Sequence, residues 1–99
     1  MTNYIFSNKA VDDISDIWNY TFDVWSERQA EKYYNLLIET CQELGAGKVF
    51  GKHYSEIDKE IYGFRVGQHI IFYRTLKINK IEIVRILHSS MYLKNRISE

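Results

Sequence analysis

Apolar positions along this chain follow two different periods, and the switch between them divides the sequence in half. Ala10, Ile14, Ile17, Trp18, Thr21 and Trp25 recur at the spacing of one helix face. Just upstream, the hydroxyl of Ser7 can accept from a free amide of a first helical turn, so the helix is expected to start there. Tyr4-Ile5-Phe6, before it, reads as a short strand. A second stripe of Ala30, Tyr33, Tyr34, Leu37, Ile38, Cys41 and Leu44 predicts a second helix. Ser26 and Gln29 have the spacing of a capping box at its start, and Gly45 is expected to end it by adopting a left-handed conformation. Almost no chain separates the helices, so they should form an antiparallel hairpin.

Past Gly45 the helical period is lost. Residues 45–60 hold three glycines within seven positions and then a polar run, which reads as a loop with room for a short helical turn. Three β-rich runs follow, Ile61 to Val66, His69 to Thr75 and Lys80 to Leu87. Gly67-Gln68 suits a type II′ hairpin turn, and Leu76 to Asn79 reads as a looser turn. The tail from His88 has room for a short helical turn. The predicted order is β-α-α-β-β-β. This is an α+β fold, a helical hairpin packed on an antiparallel sheet, in a single domain over residues 1–99.

Strand alternation assigns the two faces of that sheet. Pairing across Gly67-Gln68 puts Tyr62, Phe64, Val66, His69, Ile71 and Tyr73 on one face. Ile61, Arg65, Ile70, Phe72 and Arg74 fall on the other. In the last strand, Arg85 is expected beside Ile81, Ile83 and Leu87. Both faces carry apolar side chains, and helices can cover only one. The second face, apolar with arginines, is therefore either a docking surface for a partner or the bed on which the long loop and tail fold.

Thirteen basic and thirteen acidic residues give no net charge, against the basic excess of chains that live on nucleic acid. Cys41 is the single cysteine, so an internal disulfide is impossible and a reducing cytoplasm is expected. No charged leader with an apolar run follows Met1, and no stretch is long and apolar enough for a membrane helix.

The candidate chemistry is sparse. Arg65, Arg74 and Arg85 come one from each of three neighbouring strands. Such a trio could hold a scissile phosphate, with His88 or Tyr92 moving the proton. It could equally form ion pairs with Glu60, Glu82 or a partner's acids. His53, His69 and His88 lack metal-ligand spacing. Cys41 lies on an apolar stripe and reads as a buried, inert thiol. Asp12, Asp13 and Asp16 read as a solvated helix start. Trp18 and Trp25 read as core, with one of them half exposed at an interface. No cofactor or metal is expected.

The runs Phe64-Arg65-Val66-Gly67, His69-Ile70-Ile71-Phe72-Tyr73-Arg74 and Ile83-Val84-Arg85-Ile86-Leu87-His88 resemble the C-terminal half of ParE toxins. Met91 matches a methionine of the family pattern, while Tyr92 stands where an aspartate is common. The first strand, Ala10 and Asp13, Trp25, and Ala30 with Tyr33 extend the likeness over nearly the whole chain. The family often has a proline and a glycine after the second helix. This chain has no proline, and Gly51 stands for the glycine.

The resemblance implies a toxin of a type II toxin–antitoxin system that binds and inhibits DNA gyrase without catalysis. It also implies neutralisation by a ParD-like antitoxin, whose disordered tail folds across the toxin. Arg65, Arg74 and Arg85 are the expected antitoxin or target contacts, with Tyr73, His88, Met91 and Tyr92 beside them. Direct binding of nucleic acid or membrane is not expected. The same superfamily contains RelE-type enzymes that cut messenger RNA on the ribosome, so an RNase is the second reading. A degenerate binding module without toxicity is the third.

Overall fold

The computed structural model describes residues 3–91. Strand β1 (Tyr4–Phe6) leads into helices α1 (Asn8–Val24) and α2 (Glu27–Gly45). Strands β2 (Lys52–His53), β3 (Tyr62–Val66), β4 (His69–Lys77) and β5 (Lys80–His88) follow, and a 3₁₀ turn spans Ser89–Met91. The sheet order is β1-β5-β4-β3-β2. All pairings are antiparallel except β1 with β5, so the first strand enters the sheet beside the last one. The expected order holds with one addition, the two-residue β2 inside the long loop, and β1 makes the sheet mixed.

Both helix starts form as their serines predict. The Ser7 hydroxyl accepts from the Ala10 amide and also donates to the Val84 carbonyl at 2.7 Å, so one side chain caps α1 and ties it to β5. The Ser26 hydroxyl accepts from the Gln29 amide, but its own N–H goes to the Thr21 carbonyl, so only half of the expected capping box exists. Gly45 does not end α2 in a left-handed conformation. It remains helical, and its small size answers instead to the Asn3 carbonyl oxygen, which an added Cβ would meet at 2.7 Å. Gly47, with φ 76°, takes the left-handed position instead.

The main core lies between the helical hairpin and one sheet face. Ala10, Ile14 and Ile17 of α1 and Leu37, Cys41 and Leu44 of α2 meet Val66, Ile71, Tyr73, Ile81, Ile83 and Ile86. Trp25 departs from the expected core: it is 73% exposed, and Trp18 is half-buried. A second apolar cluster of Ile61, Ile70, Phe72 and Leu87 occupies the opposite face, and Tyr54 and Ile57 of the long loop pack on it. Phe72 is completely buried, so the loop does cover that face.

The β3–β4 register is the expected one, with Tyr62 opposite Tyr73 and Val66 opposite His69. Gly67 carries φ 57° and makes the tight turn. The β4–β5 turn is tighter than expected, because the strands run on to pair Lys77 with Lys80, and Asn79 supplies the left-handed residue at φ 64°. In β5, strict alternation fails. Phe72 pairs with Arg85 while Tyr73 pairs with Ile83, leaving Val84 as an extra residue. Beyond this bulge Ile86 faces the helices and Leu87 joins the opposite cluster, which reverses the face expected for Leu87.

Because Ser7 serves two partners and Ser26 one, their alanine variants should separate. Ser26→Ala should cost about 1 kcal/mol of stability as a lost cap. Ser7→Ala should cost roughly 2 kcal/mol, through the lost cap and an unsatisfied Val84 carbonyl. Urea titrations of the two variants check the order, and equal losses would refute the dual role.

Candidate functional site

The three arginines do not converge. Arg65 is exposed at the end of β3, its Nε donating to the Gly67 carbonyl at 3.2 Å. Arg74 lies further along the sheet and pairs with Glu82 at 2.7 Å. Hydrogen bonding to that carboxylate raises the Arg74 pKa. Arg85 turns the other way, toward α1. Its Nε and a terminal nitrogen reach the two oxygens of Asp13 at 2.8 and 3.0 Å. Both side chains of this pair are largely buried, 15% and 11% exposed. Ion pairing, one of the two sequence readings, thus describes Arg74 and Arg85, although the Asp13 partner was not foreseen.

Asp13 is therefore no part of a solvated helix start. Besides holding Arg85, its carboxylate accepts the Ile86 amide at 2.9 Å. β1 pairs with β5 only as far as Ile83, so the edge of β5 beyond that point lacks a strand neighbour. An unpaired buried amide there would cost free energy, and the helix supplies the missing acceptor.

Around this pair lies a cleft of about 430 Å³ lined by Asp13, Asp16, Tyr20, His69, Arg85 and His88 among others. His69 and His88 are opposite each other in the β4–β5 ladder, ring centres 5.3 Å apart. Sequence reading places His69 on the helix-facing side but does not bring it to His88; the antiparallel register could have shown the pairing. The hydrogen-bond network assigns both tautomers. The Tyr33 hydroxyl donates to the Val66 carbonyl at 3.0 Å, so at its 2.7 Å contact with His69 it accepts from Nδ1–H. The Ser90 amide donates to His88 Nδ1 at 3.1 Å, which leaves the His88 proton on Nε2. Burial first, and then the neighbouring His88, pushes the His69 pKa down to about 4, while Asp13 opposes the shift.

The remaining expected contacts divide in the same way. Tyr73 is buried, and its hydroxyl accepts the Gly51 amide at 2.7 Å, which anchors the loop after α2. Met91 closes the 3₁₀ turn, and Tyr92 lies outside the described residues. Burial pushes the Cys41 thiol up to about 12, as an inert core cysteine requires. Among the described residues no group of three His, Cys, Asp or Glu side chains is placed to hold a metal ion, and no helix is long and apolar enough to cross a membrane.

Charge is segregated between the layers. Residues 8–45, the helical hairpin, carry eight acidic and three basic side chains, whereas residues 46–91 carry eight basic and four acidic ones. The zero net charge conceals an acidic helical layer over a basic sheet.

Comparison with known proteins follows the whole length of this architecture. The family model described as ParE toxin of type II toxin-antitoxin system, parDE, matches residues 4–93. Toxin ParE1 of Mycobacterium tuberculosis is 31% identical over 90 residues, covering 91% of this chain and 92% of that protein. Toxin ParE1 of Caulobacter vibrioides is 31% identical over 91 residues, covering 92% and 93%. A solved structure titled Chromosomal ParDE TA system from P. aeruginosa superposes with TM-score 0.72 at 20% identity, over 89% of this chain and 96% of that one.

Two outcomes follow from the geometry. Asp13→Ala strands a buried guanidinium and an amide, and should destabilise the protein by roughly 3 kcal/mol. Adding Arg85→Met should recover part of the loss; a purely additive double mutant in urea titration would contradict the pairing. His69 stays neutral in the fold down to about pH 4, whereas in the unfolded chain it takes a proton near pH 6.5. Its contribution is therefore complete above about pH 6.5 and is lost as pH falls from there toward 4. His69→Asn should flatten the fall in Tm over that window relative to the parent, and an unchanged slope would refute the assignment.

Proposed function

From the premise that this chain belongs to the ParE toxin family of type II toxin–antitoxin systems, we propose that it is a single-domain cytoplasmic toxin that inhibits DNA gyrase by protein–protein contact. A ParD-like antitoxin holds it inactive. The observation that carries binding over catalysis is the fate of the arginines. Two of the three are occupied by internal carboxylates, and they point to opposite sides of the sheet. A scissile phosphate needs convergent, uncommitted cations to stabilise its developing charge, and Arg65, Arg74 and Arg85 do not provide that arrangement.

The basic sheet layer supports the antitoxin half of the reading. An acidic, amphipathic tail that orders on binding would find its charges there rather than on the acidic helices. Exposed Arg65 and the half-exposed side chain of Arg74 are the contacts that reading favours, with His88 at the cleft. Tyr73 and Arg85 are committed inside the fold, so their loss would act through stability.

Purified protein added to gyrase and plasmid DNA should block supercoiling and accumulate cleaved DNA, and cognate antitoxin should relieve both. Absence of either effect with folded toxin in large molar excess would reject the gyrase target. Messenger cleavage in translating extracts that is lost in Arg65→Ala would instead establish the ribonuclease reading.

A further inference from the structure

The hairpin that joins β4 to β5 runs on past the rest of the sheet. β3 accompanies β4 only as far as Tyr73, and β1 reaches β5 only from Ile81. The turn over residues 77–80 therefore protrudes beyond both neighbouring strands. Every residue from Arg74 to Asn79 is exposed, and Lys80 is half-exposed. At the tip Ile78 is 89% exposed, the highest value for a large apolar side chain among the described residues, and Leu76 is 43% exposed.

The needs of the fold do not account for this tip. Tight turns favour Asn, Gly, Asp or Ser, and Asn79 already supplies the left-handed residue at φ 64°. A β-branched side chain before it serves neither the turn nor the core. Lys77 and Lys80 are opposite each other across the turn, and like charges so placed destabilise a ladder. Neither lysine has a carboxylate partner among the described residues. An edge lysine guards against strand addition, which serves for Lys77 on the open side of β4 but leaves Ile78 and Lys80 without a role. Between the Thr75–Ile81 and Lys77–Lys80 pairs, Leu76 is an extra residue, a bulge that re-aims the tip.

Acids stand at the root of the hairpin or beyond it. Glu82 is held by Arg74 at 2.7 Å, and Asp58 and Glu60 share a cleft with that pair. Glu39 and Glu43 of α2 line a separate cleft with Asn3 and Tyr4. Residues 75–81 hold two lysines and no acid.

We propose that this tip is the toxin's target-contacting element, inserting Ile78 into an apolar socket rimmed by acidic side chains on a folded target protein, with Lys77 and Lys80 against the rim. The proposal rests on the reading that the toxin acts by protein contact, and adds to it the toxin surface and the chemistry of the socket. A protruding knob fits a preformed concave surface, and an apolar anchor ringed by groups that exclude water is the form in which such interfaces concentrate their binding energy. A tail that orders across the sheet face offers no such socket. Antitoxin and target are thus assigned different parts of the basic layer.

Two variants separate this role from a structural one, because each should leave the fold at least as stable as the parent. Ile78→Asn brings in a turn-favouring residue, and Lys80→Glu sets opposite charges across the turn. In gyrase supercoiling, Ile78→Asn should raise the toxin concentration for half-inhibition by about tenfold or more through lost apolar burial. Lys80→Glu should raise it by about fivefold, and by less at high salt. Growth arrest on induction should weaken in the same order. Unfolding midpoints should equal or exceed the parent's, and cognate antitoxin should bind both variants as it binds the parent. Parent potency in Ile78→Asn would overturn the proposal. So would a matching loss of antitoxin affinity, or parent binding to phosphatidylserine vesicles or duplex DNA that Lys80→Glu abolishes, since the tip would then serve another partner. A parent that arrests growth without inhibiting gyrase rejects the gyrase target alone; loss of arrest in Ile78→Asn would then still support the tip, and its retention would overturn it. A parent inert in both assays would reject both readings.

Discussion

The Asp13 carboxylate is the junction on which the rest of the architecture depends. β5 pairs with β4 along most of its length, yet β1 covers only the first part of its other edge. From Val84 onward its edge would be an open row of backbone groups, a site for unwanted strand addition. Helix α1 closes it with two side chains: Ser7 takes the Val84 carbonyl, and Asp13 takes the Ile86 amide. The same carboxylate holds Arg85, so one acid satisfies a backbone donor and neutralises a buried cation. Neither job is separable from the other. Without the guanidinium, a largely buried carboxylate would carry an uncompensated charge; without Asp13, Arg85 would.

The bulge in β5 is the backbone counterpart of that junction. An extra residue at Val84 gives the strand a local kink and re-aims the side chains after it. Ile86 is thereby placed on the helix side with Ile81 and Ile83, while Leu87 goes to the cluster under the long loop. A regular strand would have put Leu87 against the helices and Ile86 under the loop. Arg85 emerges at the kink, where a guanidinium can turn toward α1. The bulge and the ion pair are therefore two descriptions of one arrangement, and the cleft bearing His69 and His88 lies at its far end.

Much of this was legible from periodicity. The helical stripes of α1 and α2, both capping serines, the Gly67 turn and the β3–β4 register follow from residue spacing alone. Glu82 was among the acids the sequence offered to the arginines, and the β4–β5 hairpin register brings it opposite Arg74. What was not legible depends on contacts between distant parts of the chain. The Asp13–Arg85 pair joins residues 72 positions apart, and no local pattern announces a bulge. Gly45 was misjudged for a similar reason: its small size answers to the Asn3 carbonyl, far away in sequence, rather than to a left-handed cap. Trp25 was assigned to the core because its spacing matches the buried stripe as well as the outer one. Only the orientation of α1 on the sheet distinguishes them.

The balance of charge shows why a whole-chain total was a poor guide to partners. Thirteen acids and thirteen bases argued only against a chain that lives on nucleic acid, and left a local basic patch open. The fold instead stacks an acidic layer on a basic one, so the field near each surface has a definite sign. A small toxin gains from this arrangement, since a chain of 99 residues has little surface on which to discriminate between partners. Opposite signs on the two layers give each face its own electrostatic preference while the total charge stays near zero. The ion pairs fit the same logic. Arg85 is withdrawn from the basic surface by Asp13 and Arg74 is partly masked by Glu82, which leaves Arg65 and the lysines to set the sheet's potential. The cations at the centre hold the fold together, and those at the rim remain for recognition.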